Sequence, residues 1–324
     1  MAAEAHQAID AVDMGTAALP GRNVLNIEVI RSLSHRSDFR GVVRFVAHLS
    51  IMVASGFLVY LSMNNWWWLI PAMTLHGFVI VTMFAPMHEC VHRTAFATRI
   101  GNEIVGWLAG LLSFYNFTYY RYYHTWHHRY TQDEERDPEL MSPKPRTVWE
   151  YLWEISAVLF WLYRPSLFIG LAMGRIEKYP FLPASARTGV AFSAALQFSI
   201  YVAGLVSIAM GYQFVWFYWF FPAILGQPLL RAILIAEHTG CTIDSNGLTN
   251  TRTTLTNPLV RLLMWNMPFH TEHHLYPSIP FHQLPRAHRE LLEHLVHVAP
   301  NYVAANKTII SSFATPVAPV SQAR

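Results

Sequence analysis

The chain has 324 residues, of which 53% are hydrophobic, 14% aromatic and only 13% charged, with a net charge of +3. Soluble domains carry roughly 25% charged residues, so this balance excludes an ordinary soluble enzyme and points to one integral membrane unit. A charge of +3 scattered through short loops excludes nucleic-acid binding, and two cysteines without a CxxC pair, Cys90 and Cys241, exclude a disulfide framework and a rubredoxin-like iron site.

In chain order, the first twenty residues carry Glu4, Asp10 and Asp13 and lack the basic start and apolar centre of a signal peptide. Residues 1–40 are therefore expected to be a cytosolic, partly disordered lead-in. Four segments then approach the roughly 20 apolar residues that a spanning helix needs: residues 42–63, 66–86, 188–210 and 214–236. Only Asn64 and Asn65 separate the first two, and Gly211, Tyr212 and Gln213 the last two, so the spacing predicts two helical hairpins. Both turns are uncharged, whereas Arg31, Arg36, Arg93, Arg129 and Arg252 lie on the other side. The positive-inside rule then places both termini and the long segments 87–187 and 236–324 in the cytoplasm.

Two further apolar stretches, 103–117 and 153–174, suit helices lying along the membrane surface; the first is short and the second contains Glu154, Arg164 and Pro165. The last residues, from Asn306, bear Pro and Ser without helical period, so 296–324 is expected to be a mobile tail behind a membrane unit over 41–295. The expected fold is an all-α integral membrane protein, four transmembrane helices in two hairpins under a cytosolic helical cap.

Chemistry concentrates in three boxes: HECVH (His88, His92), HTWHH (His124, His127, His128) and HTEHH (His270, His273, His274). Positions i, i+3 and i+4 share one helix face, so each box can aim its imidazoles in one direction. An HxxxH pattern is expected about once by chance at this histidine frequency, but each HxxHH only on the order of 0.05 times. Neutral imidazole suits zinc, copper, iron and nickel alike, and eight ligands are twice what one tetrahedral ion takes, so two metal ions are expected. His238, where the fourth span emerges, is a ninth candidate, or else a helix cap; Glu237 beside it is a possible acceptor that would fix an imidazole tautomer.

The remaining polar residues carry alternatives. His48 and His76, inside spans, are expected to pack inward against partners, and His282, His288, His294 and His297 to be ordinary surface residues. The run Asp133, Glu134, Glu135, Asp137 reads as a solvated loop, with contacts to box two or docking of a basic electron carrier as its functional alternatives. Asn266, four residues before box three, could reach a metal through water.

With their flanks, HECVHRTAF, HHRYTQDEERDP and FHTEHHLYPSIPFHQLP, the boxes resemble those of the membrane-bound fatty acid desaturase family, the histidine-box di-iron oxidoreductases. The resemblance covers roughly residues 40–295. It implies two Fe2+ ions held by His88, His92, His124, His127, His128, His270, His273 and His274, with His238 matching by location a further ligand. It also implies dioxygen as cosubstrate, a lipid or other apolar substrate, and electrons from a separate ferredoxin or similar carrier with its reductase. The HxxxH spacing of box one, the His that opens box three and the lack of a cytochrome b5 signature resemble the bacterial type, for which an inner-membrane location is implied. Hydroxylases, ketolases and desaturases of small amino-acid-derived metabolites share such boxes, so substrate and outcome stay open. A metal transporter, or a hydrolase with two zinc ions, is the rival from another class. A transporter would be expected to hold its ligands near the bilayer midplane, whereas these boxes sit at the inferred cytosolic helix ends.

Overall fold

The computed structural model describes residues 23–313; the first 22 residues of the lead-in expected over 1–40, and the end of the tail, lie outside the described residues. A short helix α1 (Ile27–Leu33) precedes α2 (Asp38–Ser62), whose first turn is capped by the Ser37 side chain. Asn64 and Asn65 turn the chain back, and the Asn65 side chain accepts the Trp67 N–H at 3.1 Å to open α3 (Trp66–Val81). After a break at Thr82 and Met83 the same rod continues as α4 (Phe84–Val91), which carries box one. Next, α5 (Arg99–Ser113) ends where Phe114 adopts a left-handed conformation, and α6 (Phe117–Tyr130) carries box two. Two helices, α7 (Val148–Ile155) and α8 (Val158–Ala172), meet at a bend of 53°. The long α9 (Arg187–Ala209) follows, then a π-helical turn over Trp216–Phe220 that runs into α10 (Phe221–His238). The chain closes with α11 (Pro258–Leu263), the box-three helix α12 (His270–Leu275), α13 (Leu284–Leu291) and α14 (Tyr302–Ser312). Two short strands, β1 (Thr253–Thr254) and β2 (Val298–Ala299), pair in parallel and tie the approach to box three to the C-terminal segment.

Among the described residues four helical stretches are long and apolar enough to cross a membrane, Asp38–Ser62, Trp66–Val91, Ala184–Ala209 and Trp216–His238. These are the four expected spans. On α2, Val42, Val46, Val53 and Phe57 point outward, as a helix facing lipid requires. The bent pair α7–α8 covers the second stretch expected along the surface; together the two helices are also long and apolar enough for one broken span.

The helix partners add to the hairpin picture. α2 and α3 pack on one another, but α10 takes α3 as its main neighbour while α9 lies against α8. The reason is a glycine crossing: a Cβ on Gly77 would lie 1.7 Å from the Pro222 carbonyl oxygen, and one on Gly226 2.2 Å from the Gly77 carbonyl carbon. Small residues let membrane helices approach to backbone contact. The two span histidines are packed inward as expected, with His48 Nε2 at 2.9 Å from the Val79 carbonyl and His76 between the Ser55 hydroxyl (2.8 Å) and the Tyr218 carbonyl (3.1 Å).

The tail departs from its expectation. Tyr302–Ser312 is helical, capped by the Asn301 side chain and buried at Ala305 and Ile309, an i, i+4 pair. Asn306 fastens it, donating to the Ala232 carbonyl of α10 (2.9 Å) and accepting from the Tyr151 hydroxyl (2.8 Å). Two buried positions in eleven, one of them an alanine, are too faint a period to register in the sequence.

Candidate metal centre

Three helix ends and one helix terminus converge. α4 brings His88 in its last turn and His92 as its C-cap residue. α6 is started by Asn116, whose side-chain oxygen accepts the Tyr119 N–H at 2.9 Å while its amide donates to Ser193 and Gln197 of α9. That anchor fixes the helix so that His124, His127 and His128 are all turned inward. α12 is six residues long and buries all three of its histidines. α10 delivers His238 as its last residue, with Arg252 donating to the Ala236 and Thr239 carbonyls at the helix end.

The imidazoles form two abutting groups. In the first, one ligand atom from each of His88, His92, His124, His128 and His273 lies within 4.8 Å of the others; in the second the same holds for His127, His238 and His274. Two nitrogens on opposite sides of an ion at about 2.0–2.1 Å each would be about 4 Å apart, so both groups have the dimensions of a single-ion site. His270 stands beside the second group, its Nε2 3.1 Å from His238 Nε2 and 3.5 Å from Glu237 Oε2. The His128 and His274 rings stack at 4.0 Å across the boundary between the groups.

The donor chemistry fits metal. Nε2 atoms face one another at 2.8 Å (His88 and His273) and 2.9 Å (His128 and His124), and the buried His92 Nε2 has no hydrogen-bond partner. Burial, reinforced by the neighbouring imidazoles, holds His124, His128, His273 and His274 well below the ordinary histidine range, and pushes His92 down to about 3. Such rings are neutral at physiological pH and offer lone pairs rather than charge. Neutral imidazoles packed this closely satisfy one another poorly by hydrogen bonding and suit cations well.

Outer contacts set the tautomers. Asp137 Oδ1 lies 2.8 Å from His127 Nδ1, and the same carboxylate accepts the backbone N–H groups of Gln132 (2.8 Å) and Glu139 (2.9 Å). Although burial opposes both charges, the nearby Glu139 and Asp137 carboxylates raise His127, and His127 in turn lowers Asp137. With Nδ1–H donating to Asp137, His127 Nε2 is left free for a metal. The Asn250 carbonyl does the same for His238 Nδ1 at 3.2 Å, and Thr131 Oγ1, which donates to the His127 carbonyl, lies 3.2 Å from His274 Nδ1. Asp137→Asn is expected to weaken metal binding roughly 10–100-fold, read by equilibrium dialysis against Fe2+; unchanged affinity would contradict this role.

The acidic run therefore divides. Asp137 is buried on box two, whereas Asp133 is a surface residue paired with Arg136. Glu237 reaches His270 rather than its neighbour His238. Asn266 donates to the Phe281 carbonyl at 2.9 Å, joining the segments before and after the box-three helix. Sequence reasoning missed the clamp under box three: Glu272, fully buried, accepts from Thr253 Oγ1 and holds His288 Nδ1, each at 2.5 Å. No spacing in the sequence signals that His288 would return to this helix.

The sequence model of the family described as fatty acid desaturase matches residues 64–305. Similar proteins include an sn-1 oleoyl-lipid 12-desaturase of Picosynechococcus sp., 31% identical over 121 residues, which are 35% of each chain. A dihydrorhizobitoxine desaturase of Bradyrhizobium elkanii is 27% identical over 252 residues, 69% of this chain and 68% of the relative. A sphingolipid delta(4)-desaturase of Drosophila melanogaster is 25% identical over 236 residues, 69% of this chain and 67% of the relative. The chain thus spans about a third of the length of the first relative and about two thirds of the other two.

Proposed function

The chain belongs to the fatty acid desaturase family, and we propose that it is a membrane oxidoreductase taking hydrogen from C–H bonds of an acyl chain or related apolar substrate. The reaction uses dioxygen and two electrons from an external carrier of the ferredoxin kind. The observation that carries this reading is the pair of abutting imidazole groups at the ends of membrane helices. Ionisable clusters at membrane depth are costly and are seldom present without function. His88, His92, His124, His128 and His273 would hold one iron; His127, His238 and His274, with His270 beside them, would hold the other. Iron held by these residues would supply the activation of dioxygen and the oxidising power that no side chain has.

The protein's own contribution is placement and exclusion of water. Tyr120 stacks on His124 at 5.1 Å and Phe84 packs edge-on to His88 at 5.8 Å, so the first group is roofed by aromatic rings. Asp137 and the Asn250 carbonyl hold the ring tautomers of the second group. The arginine distribution supports an orientation with the site on the cytoplasmic side, within reach of a soluble electron donor.

The test compares lipids and small metabolites of cells expressing the wild type with those of uninduced cells, with a ferredoxin and its reductase supplied, in air and anaerobically. A dioxygen-dependent product lighter by two hydrogens is expected; a product heavier by one oxygen would assign a hydroxylase. Zinc-dependent hydrolysis that needs no dioxygen would overturn the reading.

A further inference from the structure

Glu237 approaches the second histidine group in a way that a hydrogen-bonding role does not explain. It is the penultimate residue of α10 and only 8% exposed. Its Oε2 lies 3.5 Å from His270 Nε2, and its Oε1 is buried without a hydrogen-bond partner. Among the described residues no arginine or lysine pairs with it. Arg252 is engaged with the Ala236 and Thr239 carbonyls, Arg231 with Glu154 and Lys144 with Gln132. The carboxylate whose charge acts on it, Glu139, has the same sign. A buried carboxylate left without a cation is costly.

The nitrogen that Glu237 faces separates two roles. A carboxylate that fixes a tautomer sits on the ring nitrogen turned away from the ion, as Asp137 does on His127 Nδ1 at 2.8 Å. Glu237 stands instead beside the nitrogen turned inward: His270 Nε2 is 3.1 Å from His238 Nε2, which is 3.2 Å from His127 Nε2. A separation of 3.5 Å is beyond the usual range of an N–H···O bond. It is ordinary for two atoms that share one ion, because donors about 2.0–2.2 Å from a metal stand roughly 3–4 Å apart.

The two groups also differ in what they offer. The first has five imidazoles, whereas the second has three, with His270 beside them. Imidazoles joined by a carboxylate are a donor set that non-haem Fe2+ takes with positions left open. We propose that the Glu237 carboxylate is a ligand of the second ion, completing a set of His127, His238, His270, His274 and Glu237. The two sites are then unequal, one built of neutral donors and the other carrying an anionic one. The inference rests on the metal centre of the oxidoreductase reading and assigns one further residue to it. Glu139, 3.7 Å from His127 Nε2, stays outside the set: its side chain is 32% exposed, and Lys144 and Arg231 compensate its charge.

The experiment reads metal binding rather than turnover. Metal-free full-length protein in nanodiscs is titrated anaerobically with Fe2+. Wild type is expected to bind two ions. Glu237→Gln keeps the size and an acceptor oxygen but not the anion. It is expected to bind one ion as wild type does and the other more than about a hundredfold more weakly, beyond the roughly 10–100-fold cost of losing an orienting contact. Glu237→Asp, which keeps the carboxylate, is expected to fall between the two. The ion that remains shows that the variant is folded. Infrared difference spectra of the wild type need no variant: adding Fe2+ is expected to shift a carboxylate stretch, and that band to be absent from Glu237→Gln. A Glu237→Gln protein that binds both ions as tightly as wild type, or a wild-type spectrum in which no carboxylate band moves, would overturn the proposal and leave the histidine centre standing. Wild type that binds no iron would overturn both.

Discussion

His273→Ala is expected to abolish product formation, by more than about a hundredfold, while the protein remains membrane-inserted. The floor follows from the chemistry: loss of a residue that merely orients a ligand costs roughly 10–100-fold, and His273 sits inside the five-histidine group with its Nε2 2.8 Å from that of His88. His127→Ala, in the other group, is expected to be equally inactive. Metal content separates the two variants from a simple failure to fold, because each removes a ligand from one group and leaves the other intact. About one iron per chain, against two in wild type, is the expected value for both. His294→Ala is the control: that histidine is exposed and far from box geometry, and its variant is expected to keep full activity and two irons. Full activity in His273→Ala and His127→Ala would remove the boxes from the catalytic account.

Much of this centre was legible in the sequence because a helical period is a local property. HTWHH and HTEHH announce that three imidazoles leave one helix in one direction, and four long apolar runs announce the rods that carry them. What local pattern cannot encode is which distant group closes a contact. Asp137 and Asp133 are indistinguishable in the run DEERD, yet one is buried on His127 and the other faces solvent. The same holds for His288, which sequence alone places on the surface, and for Glu237, whose partner proved to be a histidine 33 residues on rather than its neighbour. The pairing of α10 with α3 depended on two glycines 149 positions apart, each unremarkable in its own helix. The helical C-terminal segment escaped notice because its burial rests on Ala305 and Ile309, and its attachment on one asparagine.

Those two glycines lead to the second large effect, since the ligands ride on the helices they join. α3 continues into α4 and His88, and α10 ends in His238, so the separation of α3 from α10 sets how far apart parts of the two histidine groups lie. A Cβ at position 226 would stand 2.2 Å from the Gly77 carbonyl carbon and 2.3 Å from the Phe78 nitrogen, and backbone atoms cannot swing aside as a side chain does. Overpacking costs about 1–3 kcal/mol where side chains can yield; here the rods themselves must part, which also unpacks Pro222 from Gly77. Gly226→Val is accordingly expected to yield no monodisperse protein in detergent and no bound iron. Gly189→Ala, on α9 with nothing within 4 Å of the added methyl, is expected to match wild type in both respects. Size-exclusion profiles, thermal midpoints and iron content of the two variants decide the matter. A Gly226→Val protein that is monodisperse, with the wild-type midpoint and two irons, would show that the α3–α10 crossing does not position the centre. Loss of iron with a preserved profile would show the opposite most directly, because it would mean that the rods had moved apart without unfolding and had carried His238 away from His127.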